Sequence, residues 1–175
     1  MLKKKTTFKV QSTHFDNKGA AKMVDVSNKK VSTRVASAEA IIVMKPATLS
    51  MIIAGNHKKG DVLAVARIAG ILGAKKTSDL IPLCHPIGIE TVEINFQFDK
   101  KNNTVNILSI CKTTNKTGIE IEAMTAASLT ALTIYDMCKS VDREMYIKSI
   151  KLTHKSGGKS GIFNSCLLYT SPSPR

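Results

Sequence analysis

The stretch IGIETVEINFQFDKKNNTVNILSICKTT, residues 87–114, decides the fold because its pattern predicts two strands joined by a turn. From Ile89 to Phe98 apolar side chains mostly alternate with polar ones, which is the period of a strand with one buried face. The residues KKNN at 100–103 favour a turn, and TVNILSICKTT at 104–114 favours a return strand. These segments therefore predict an antiparallel hairpin.

The segments before this hairpin predict one strand and two helices. Residues 31–44 contain β-branched positions and end in an apolar run, which favours a strand. Pro46 suits the first turn of a short helix that ends near Gly55. Asp61 can cap the following helix, VLAVARIAGILGAKK, by accepting hydrogen bonds from its first free backbone N–H groups.

The segments after the hairpin complete the fold prediction. Residues 118–140 form a long apolar segment that predicts a helix, and 145–155 predict a last strand. The resulting order is a split β-α-β plan of the α+β class, a four-stranded antiparallel sheet with helices on one face. The helices are apolar around most of their circumference, so a monomer would expose apolar patches and an oligomer is expected.

Composition and charge restrict the class of protein. With 175 residues, of which 43% are hydrophobic, the chain can form one folded domain. It has no apolar run of about 20 residues and no secretory signal pattern, so we expect no membrane partner and a cytoplasmic location. The net charge is +13, and residues 11–163 keep 21 basic against 13 acidic residues, which indicates an anionic partner. Three Tyr, five Phe and no Trp disfavour nucleic acid and favour a phosphorylated small molecule.

The two ends differ from the middle of the chain. Residues 1–21 form a basic N-terminal extension, and the predicted domain spans 22–163. Residues 164–175, NSCLLYTSPSPR, become rich in Ser and Pro and predict an atypical disordered tail.

The motif IPLCHP at 81–86 sets Cys84 beside His85 between two prolines. Three explanations are open from the residues alone: metal ligands, a thiolate–imidazole catalytic pair, or packing. The four cysteines lie 27, 27 and 28 residues apart and include no C-x-x-C pair, so the pattern supports neither zinc nor a redox motif. We therefore expect no metal site.

Four segments in the same order resemble the cyclic pyranopterin monophosphate synthase family, also called the molybdenum cofactor biosynthesis protein C family. The segments are MVDVSNK (23–29), KGDVLAVARIAGILGAKKTSDLIPLCHP (59–86), KTGIEIEAMTAASLTALTIYDMCK (116–139) and KSGGKSG (155–161). Four motifs in one order make the resemblance specific.

The resemblance implies a ferredoxin-like fold and a homohexamer, built as a trimer of dimers with active sites at the dimer interface. It implies a lyase that converts the purine-derived triphosphate (8S)-3′,8-cyclo-7,8-dihydroguanosine 5′-triphosphate to cyclic pyranopterin monophosphate. Pyrophosphate is released. No resident cofactor is expected, and Mg²⁺ carried by the substrate phosphates stays open.

The resemblance also implies a set of site residues. The catalytic residues would be Asp136, Lys139 and Lys155, in the segments IYDMCK and KSGGKSG. The substrate-binding residues would be Lys59, Leu83, Cys84, His85, Glu120, Ile121 and Glu122. Within this set, Cys84 is expected to pack or to present its backbone, and His85 to contact the substrate from a rigid proline-flanked corner.

Structural explanations compete with these roles. Asp136 and Lys139 are three residues apart and could form a surface ion pair, although their apolar neighbours predict partial burial. Thr117 and Glu120 have the T-x-x-E spacing of a capping box, which explains Glu120 as well as a substrate contact does. The loop HKSGGKSG at 154–161 could bind an anion or form a flexible basic loop.

Spacing also limits how the carboxylates can work together. Glu122 and Asp136 are 14 residues apart, which is about 21 Å along one helix. Either only one of them is catalytic or the site combines two chains. Two rival functions are a basic nucleic-acid-binding module and an assembly subunit without catalytic activity.

Overall fold

The structure is a computed structural model that describes residues 14–16, 18–58 and 60–165. These residues form one antiparallel sheet and the helices that cover it, which confirms the α+β class. The elements are β1 Ser32–Val43, α1 Pro46–Ala54, α2 Val62–Lys75, α3 Thr77–Leu80, β2 Thr91–Asp99, β3 Thr104–Asn115, α4 Glu120–Cys138, β4 Tyr146–Ser156 and β5 Phe163–Asn164.

The sheet has five strands in the described part of the chain, in the order β2-β3-β1-β4-β5, so the predicted number of four is wrong. The four predicted strands are present. The fifth arises because the chain turns back after the glycine-rich loop and pairs Phe163 with Lys155 and Asn164 with His154. Asn164 belongs to the predicted tail, whose residues 166–175 lie outside the described residues.

The predicted hairpin is confirmed as β2 and β3, paired in register from Thr91 opposite Lys112 to Asp99 opposite Thr104. Asp99 shapes the turn because its carboxylate accepts the backbone N–H groups of Lys101 and Asn102 at 2.9 and 3.0 Å. The first strand begins at Thr91, four residues later than predicted. Residues 87–90 are held by a side chain instead, since the Thr113 hydroxyl donates to the Gly88 carbonyl at 2.6 Å.

Small residues let α4 lie directly on the sheet, where it contacts β1, β3 and β4. The Ser109 hydroxyl in β3 donates to the Ala123 carbonyl of α4 at 2.6 Å, which requires close approach of the two backbones. The core on this face includes the fully buried residues Ala36, Ala38, Ala40 and Ile42 of β1 and Ala123, Ala126, Ala127 and Ala131 of α4. The position of α4 is therefore fixed along its length.

Helix α2 packs on α4, and Gly70 of α2 lies at the point of close contact. A methyl group at Gly70 would collide with the Thr130 hydroxyl and lie 3.0 Å from the Ala126 carbonyl oxygen. The predicted cap of α2 is confirmed, since Asp61 accepts hydrogen bonds from Leu63 and Ala64, each at 3.0 Å. The outward face of α2 is apolar, and we call Val65, Ile68 and Leu72, exposed by 42, 67 and 56%, the apolar stripe.

Helix α1 begins at Pro46 and is followed by Gly55 in the left-handed conformation with φ of 68°, as predicted. Its cap comes from a distant residue. The buried carboxylate of Asp142 accepts hydrogen bonds from the Lys45 backbone N–H at 2.8 Å and from the Thr48 hydroxyl at 3.1 Å. Burial alone would raise the pKa of Asp142, but these hydrogen bonds and that of the Glu144 N–H leave it below its ordinary value.

In the described residues, no helix is both long enough and apolar enough to cross a membrane.

The Asp142 contact predicts a loss of stability that depends on pH. Asp142→Ala should lower the free energy of unfolding by about 2–3 kcal/mol at neutral pH, because it leaves the start of α1 without its acceptor. Since the folded pKa lies below 3.8, this contribution is complete above that pH and shrinks as pH falls through the folded value. Urea unfolding of wild type and variant at several pH values measures the difference.

The matched control is Glu144→Gln, which removes the other carboxylate near Lys45, 2.9 Å from its Nζ. Glu144 is 78% exposed, so its loss should change stability by less than about 1 kcal/mol. Equal effects of the two substitutions would contradict the assignment of Asp142 as the cap.

Candidate functional site

A cavity of about 540 Å³ lies where the IPLCHP loop meets the beginning of α4. Six of the predicted substrate-binding residues line it: Leu83, Cys84, His85, Glu120, Ile121 and Glu122. Seven residues that the sequence analysis did not select complete the lining: His14, Val24, Val26, Lys29, Ile81, Thr117 and Gly118. Val24, Val26 and Lys29 lie in the MVDVSNK segment, so that motif was the signal available for them.

Glu122 is the buried carboxylate of this cavity, with only 2% of its surface exposed. The Cys84 thiol donates to its Oε1 at 3.5 Å, whereas Oε2 has no hydrogen-bond partner among the described residues. Burial raises the pKa of Glu122, and the hydrogen bonds from its own backbone N–H and from Cys84 oppose that shift only in part. A buried acceptor without a donor is costly, so this oxygen is suited to a ligand N–H or O–H.

Cys84 does not fit the role of a thiolate nucleophile. Burial and then the neighbouring Glu122 carboxylate raise the pKa of its thiol to about 11, so it is protonated at neutral pH. The Nε2 atom of His85 lies 2.7 Å from the Val24 carbonyl oxygen and donates to it. The raised thiol pKa and the contact of His85 with Val24 therefore disfavour the catalytic-pair explanation of IPLCHP.

Glu120 is not part of a capping box, so that prediction is wrong. Helix α4 begins at Glu120 itself, its N-cap residue is Ile119, and among the described residues no side chain caps it. The Glu120 carboxylate instead pairs with Lys155, Oε1 to Nζ at 3.2 Å, and both side chains are about three-quarters buried. Lys155 also donates to the Ser160 hydroxyl at 3.0 Å. This ion pair places the predicted catalytic Lys155 beside the cavity.

Arg34 is a structural support for this pair that the sequence analysis missed. Its Nε donates to the Asn115 carbonyl at 2.9 Å and its Nη2 to the Lys116 carbonyl at 3.1 Å, just before α4. On its other side, Gly157 and Gly158 adopt φ of 90° and 75°, and a Cβ at Gly158 would collide with the guanidinium. Arg34 thus joins the segments that carry Glu120 and Lys155. The sequence offered one indication of this role: Arg34 is the one basic residue in β1, a strand rich in small side chains.

Asp136 and Lys139 lie near the other end of α4 and do not line the cavity. They form an ion pair, Oδ1 to Nζ at 2.7 Å, which raises the pKa of Lys139. Their side chains are 66 and 53% exposed, so the predicted partial burial is wrong for the single chain. Leu132, 52% exposed, lies one turn earlier on the same face as Asp136. The apolar sequence neighbours of Asp136 did not predict this exposure, because they lie on the buried faces of α4.

Two further predictions concern metals and Lys59. In the described part of the chain, no group of three or more His, Cys, Asp or Glu side chains is placed to hold a metal ion. Lys59 lies outside the described residues. Its neighbour Gly60 has φ of 96°, so the chain turns sharply at this point.

Burial, together with the neighbouring Glu122 carboxylate, predicts slow alkylation of the Cys84 thiol. At pH 8, iodoacetamide should modify Cys84 roughly 100-fold more slowly than free cysteine, because a pKa of about 11 leaves little thiolate. Glu122→Gln should accelerate the reaction by removing the neighbouring charge, while burial keeps it slower than for free cysteine. Mass spectrometry of the Cys84 peptide gives the rate. Equal rates in Glu122→Gln and in the exposed control Glu93→Gln would contradict the contact.

A comparison with protein-family models identifies the family of the chain. The MoaC family model matches residues 23–158, more than three-quarters of the sequence. The match includes the cavity residues at 81–85 and 117–122, the Asp136–Lys139 pair and Lys155. The chain therefore belongs to the MoaC family, an enzyme family of molybdenum cofactor biosynthesis.

Proposed function

We propose that the protein is a cyclic pyranopterin monophosphate synthase, a cytoplasmic lyase that acts on (8S)-3′,8-cyclo-7,8-dihydroguanosine 5′-triphosphate and releases pyrophosphate. The observation that carries this proposal is the convergence of six predicted substrate-binding residues on one cavity, with Lys155 held beside it by Glu120. The family membership supports the same pathway. We further propose a ferredoxin-like sheet, on the grounds of the element order and the neighbours of β1 to β4.

The cavity provides different chemistry for the two ends of such a substrate. The Oε2 atom of Glu122 can accept an N–H of the purine-derived ring. Lys155 and Lys29 supply positive charge for the triphosphate, and the resemblance implies the same role for Lys59. His85 donates through Nε2 to Val24, so its Nδ1 is the ring atom left to contact the substrate.

A single chain does not bring Asp136 and Lys139 to the cavity. Glu120 and Asp136 are 16 residues apart on α4, which separates them by about 24 Å. We propose that Asp136 of the partner subunit and Lys139 of the partner subunit approach the cavity across a dimer interface. Leu132 and the apolar stripe supply exposed apolar surface for such contacts, and a homohexamer built as a trimer of dimers would cover more of it.

The proposed reaction has two parts. In one, a sugar hydroxyl oxygen bonds to the α-phosphorus, the bond from that phosphorus to the bridging oxygen of pyrophosphate breaks, and the hydroxyl proton passes to a base. Lysine side chains stabilise the charge that moves to the leaving pyrophosphate. In the other, water adds to the purine-derived ring, proton transfers open it, and closure of the new pterin ring expels water again, with Asp136, Lys139 and Lys155 as the acid–base groups. Mg²⁺, where present, would accompany the triphosphate.

Substitution of the proposed acid–base residues should abolish most turnover. In an assay coupled to the enzyme that makes the cyclised nucleotide, Asp136→Asn and Lys155→Ala should each lower kcat by about 100-fold or more. The oligomer should persist on size-exclusion chromatography because both side chains are polar and partly exposed.

The matched control is Asp79→Asn, which removes an ion pair with the same three-residue spacing and similar exposure, Asp79 with Lys76 at 3.2 Å. This variant should keep wild-type turnover. Near-normal rates in both Asp136→Asn and Lys155→Ala would contradict the proposal, as would salt-sensitive binding of nucleic acid without any turnover.

Mixing of two inactive variants tests whether the site combines two chains. Co-refolded Asp136→Asn and Lys155→Ala chains should regain about a quarter of wild-type activity, because half of the dimers are mixed and each mixed dimer has one intact site. Each variant refolded alone is the control. A mixture no more active than its separate components would contradict the shared site.

A further inference from the structure

The two oxygens of the Glu122 carboxylate have different surroundings. Oε1 accepts the Cys84 thiol at 3.5 Å, and Oε2 is buried with no partner among the described residues although the side chain lines the cavity. A ligand donor therefore meets this carboxylate from one defined side, that of Oε2. The open oxygen can accept hydrogen bonds from a ligand, whereas the other already accepts one from the thiol.

The thiol is well placed to maintain this arrangement. Cys84 lies in a loop bounded by Pro82 and Pro86, and its backbone N–H donates to the Ile81 carbonyl at 3.0 Å, so its side chain starts from a fixed position. Glu122 lies in the first turn of α4, whose position the alanine-rich core fixes. The contact therefore joins two rigid segments across the cavity wall.

We propose that Cys84 is a positioning residue, whose thiol holds Oε1 of Glu122 and directs Oε2 at an N–H donor on the purine-derived ring of the substrate. This role rests on the proposed function for the identity of the ligand, but the contact itself does not. Cys84 takes no part in the chemical step, since its sulfur neither attacks nor exchanges a proton with the substrate. Its contribution is to binding and to the ionised state of Glu122.

Several other titratable groups lie near Glu122. Cys111 approaches it from β3, and Glu120 repels its charge from the same helix although it is paired with Lys155 of β4. The remaining titratable groups of the cavity are Lys29, His14 and His85. With Cys84 replaced by alanine, the ionised carboxylate would lose its side-chain donor. Protonation of Glu122 would then occur at higher pH.

The test compares Cys84→Ala with Cys84→Ser, which restores a donor of nearly the same size. Cys84→Ala should raise KM by about 3- to 10-fold with little change in kcat, as expected for one lost hydrogen bond in binding. The acidic limb of kcat/KM should move to higher pH by about half a unit to one unit, because this profile reports the free enzyme. Cys84→Ser should return both quantities towards wild type.

Carbon-13 NMR titration of the Glu122 carboxyl, assigned with Glu122→Gln, gives a readout that does not need turnover. Its pKa should rise in Cys84→Ala and return in Cys84→Ser. A wild-type KM, pH profile and titration in Cys84→Ala would overturn the inference, and so would a serine variant that behaves like alanine. If wild type does not act on the cyclised nucleotide, the proposed function fails, while the titration still decides the role of Cys84.

Discussion

The close packing of α4 on β1 is the constraint on which the rest of the structure depends. Alanines on the inner face of β1 meet alanines on α4, and the hydroxyl of Ser109 bonds directly to the backbone of the helix. Larger side chains on either surface would push the helix away from the sheet, so the small residues set the distance. Gly70 likewise sets the distance between α2 and α4, so the sheet and these two helices form one rigid unit.

This constraint determines how the site is built. A straight helix held along its whole length cannot bring residues of its first turn to residues of its last turn. Glu120 and Glu122 face the cavity with Cys84, whereas Asp136 and Lys139 project from the opposite end beside the exposed Leu132. In the part of the chain that the structure describes, one end of α4 has a buried carboxylate oxygen without a donor, and the other end has an exposed apolar side chain. Association of copies would supply the missing surroundings for the second end.

The sequence predicted features whose causes are local. The hairpin at 91–115, the cap at Asp61 and the start and end of α1 at Pro46 and Gly55 depend on neighbouring residues, and the structure confirms them. The fifth strand was missed because a two-residue strand has no periodicity to detect. Such an element exists only because β4 offers a free edge.

Features whose causes are distant could not be predicted in the same way. Glu120 has the spacing of a capping residue, but its partner Lys155 is 35 positions later on another strand. The exposure of Asp136 depends on which face α4 turns to the sheet, and its apolar neighbours occupy the other faces. The grouping of Leu83, Cys84 and His85 with Glu122 came from the resemblance, since no periodic pattern connects a loop to a helix 38 positions away. Arg34 was missed because its partners are backbone carbonyls, which leave no trace in composition.

The remote cap of α1 has a consequence for the order in which the chain folds during synthesis. Helix α2 carries its own cap, so its first turn can form as soon as it leaves the ribosome. Helix α1 is only nine residues long, and the carboxylate that completes its first turn is made 97 residues after Lys45. At roughly 5–20 residues per second, α1 waits on the order of 5–20 seconds for its cap. Helix α1, which follows the first strand of the sheet, is therefore among the last elements to gain all its stabilising contacts.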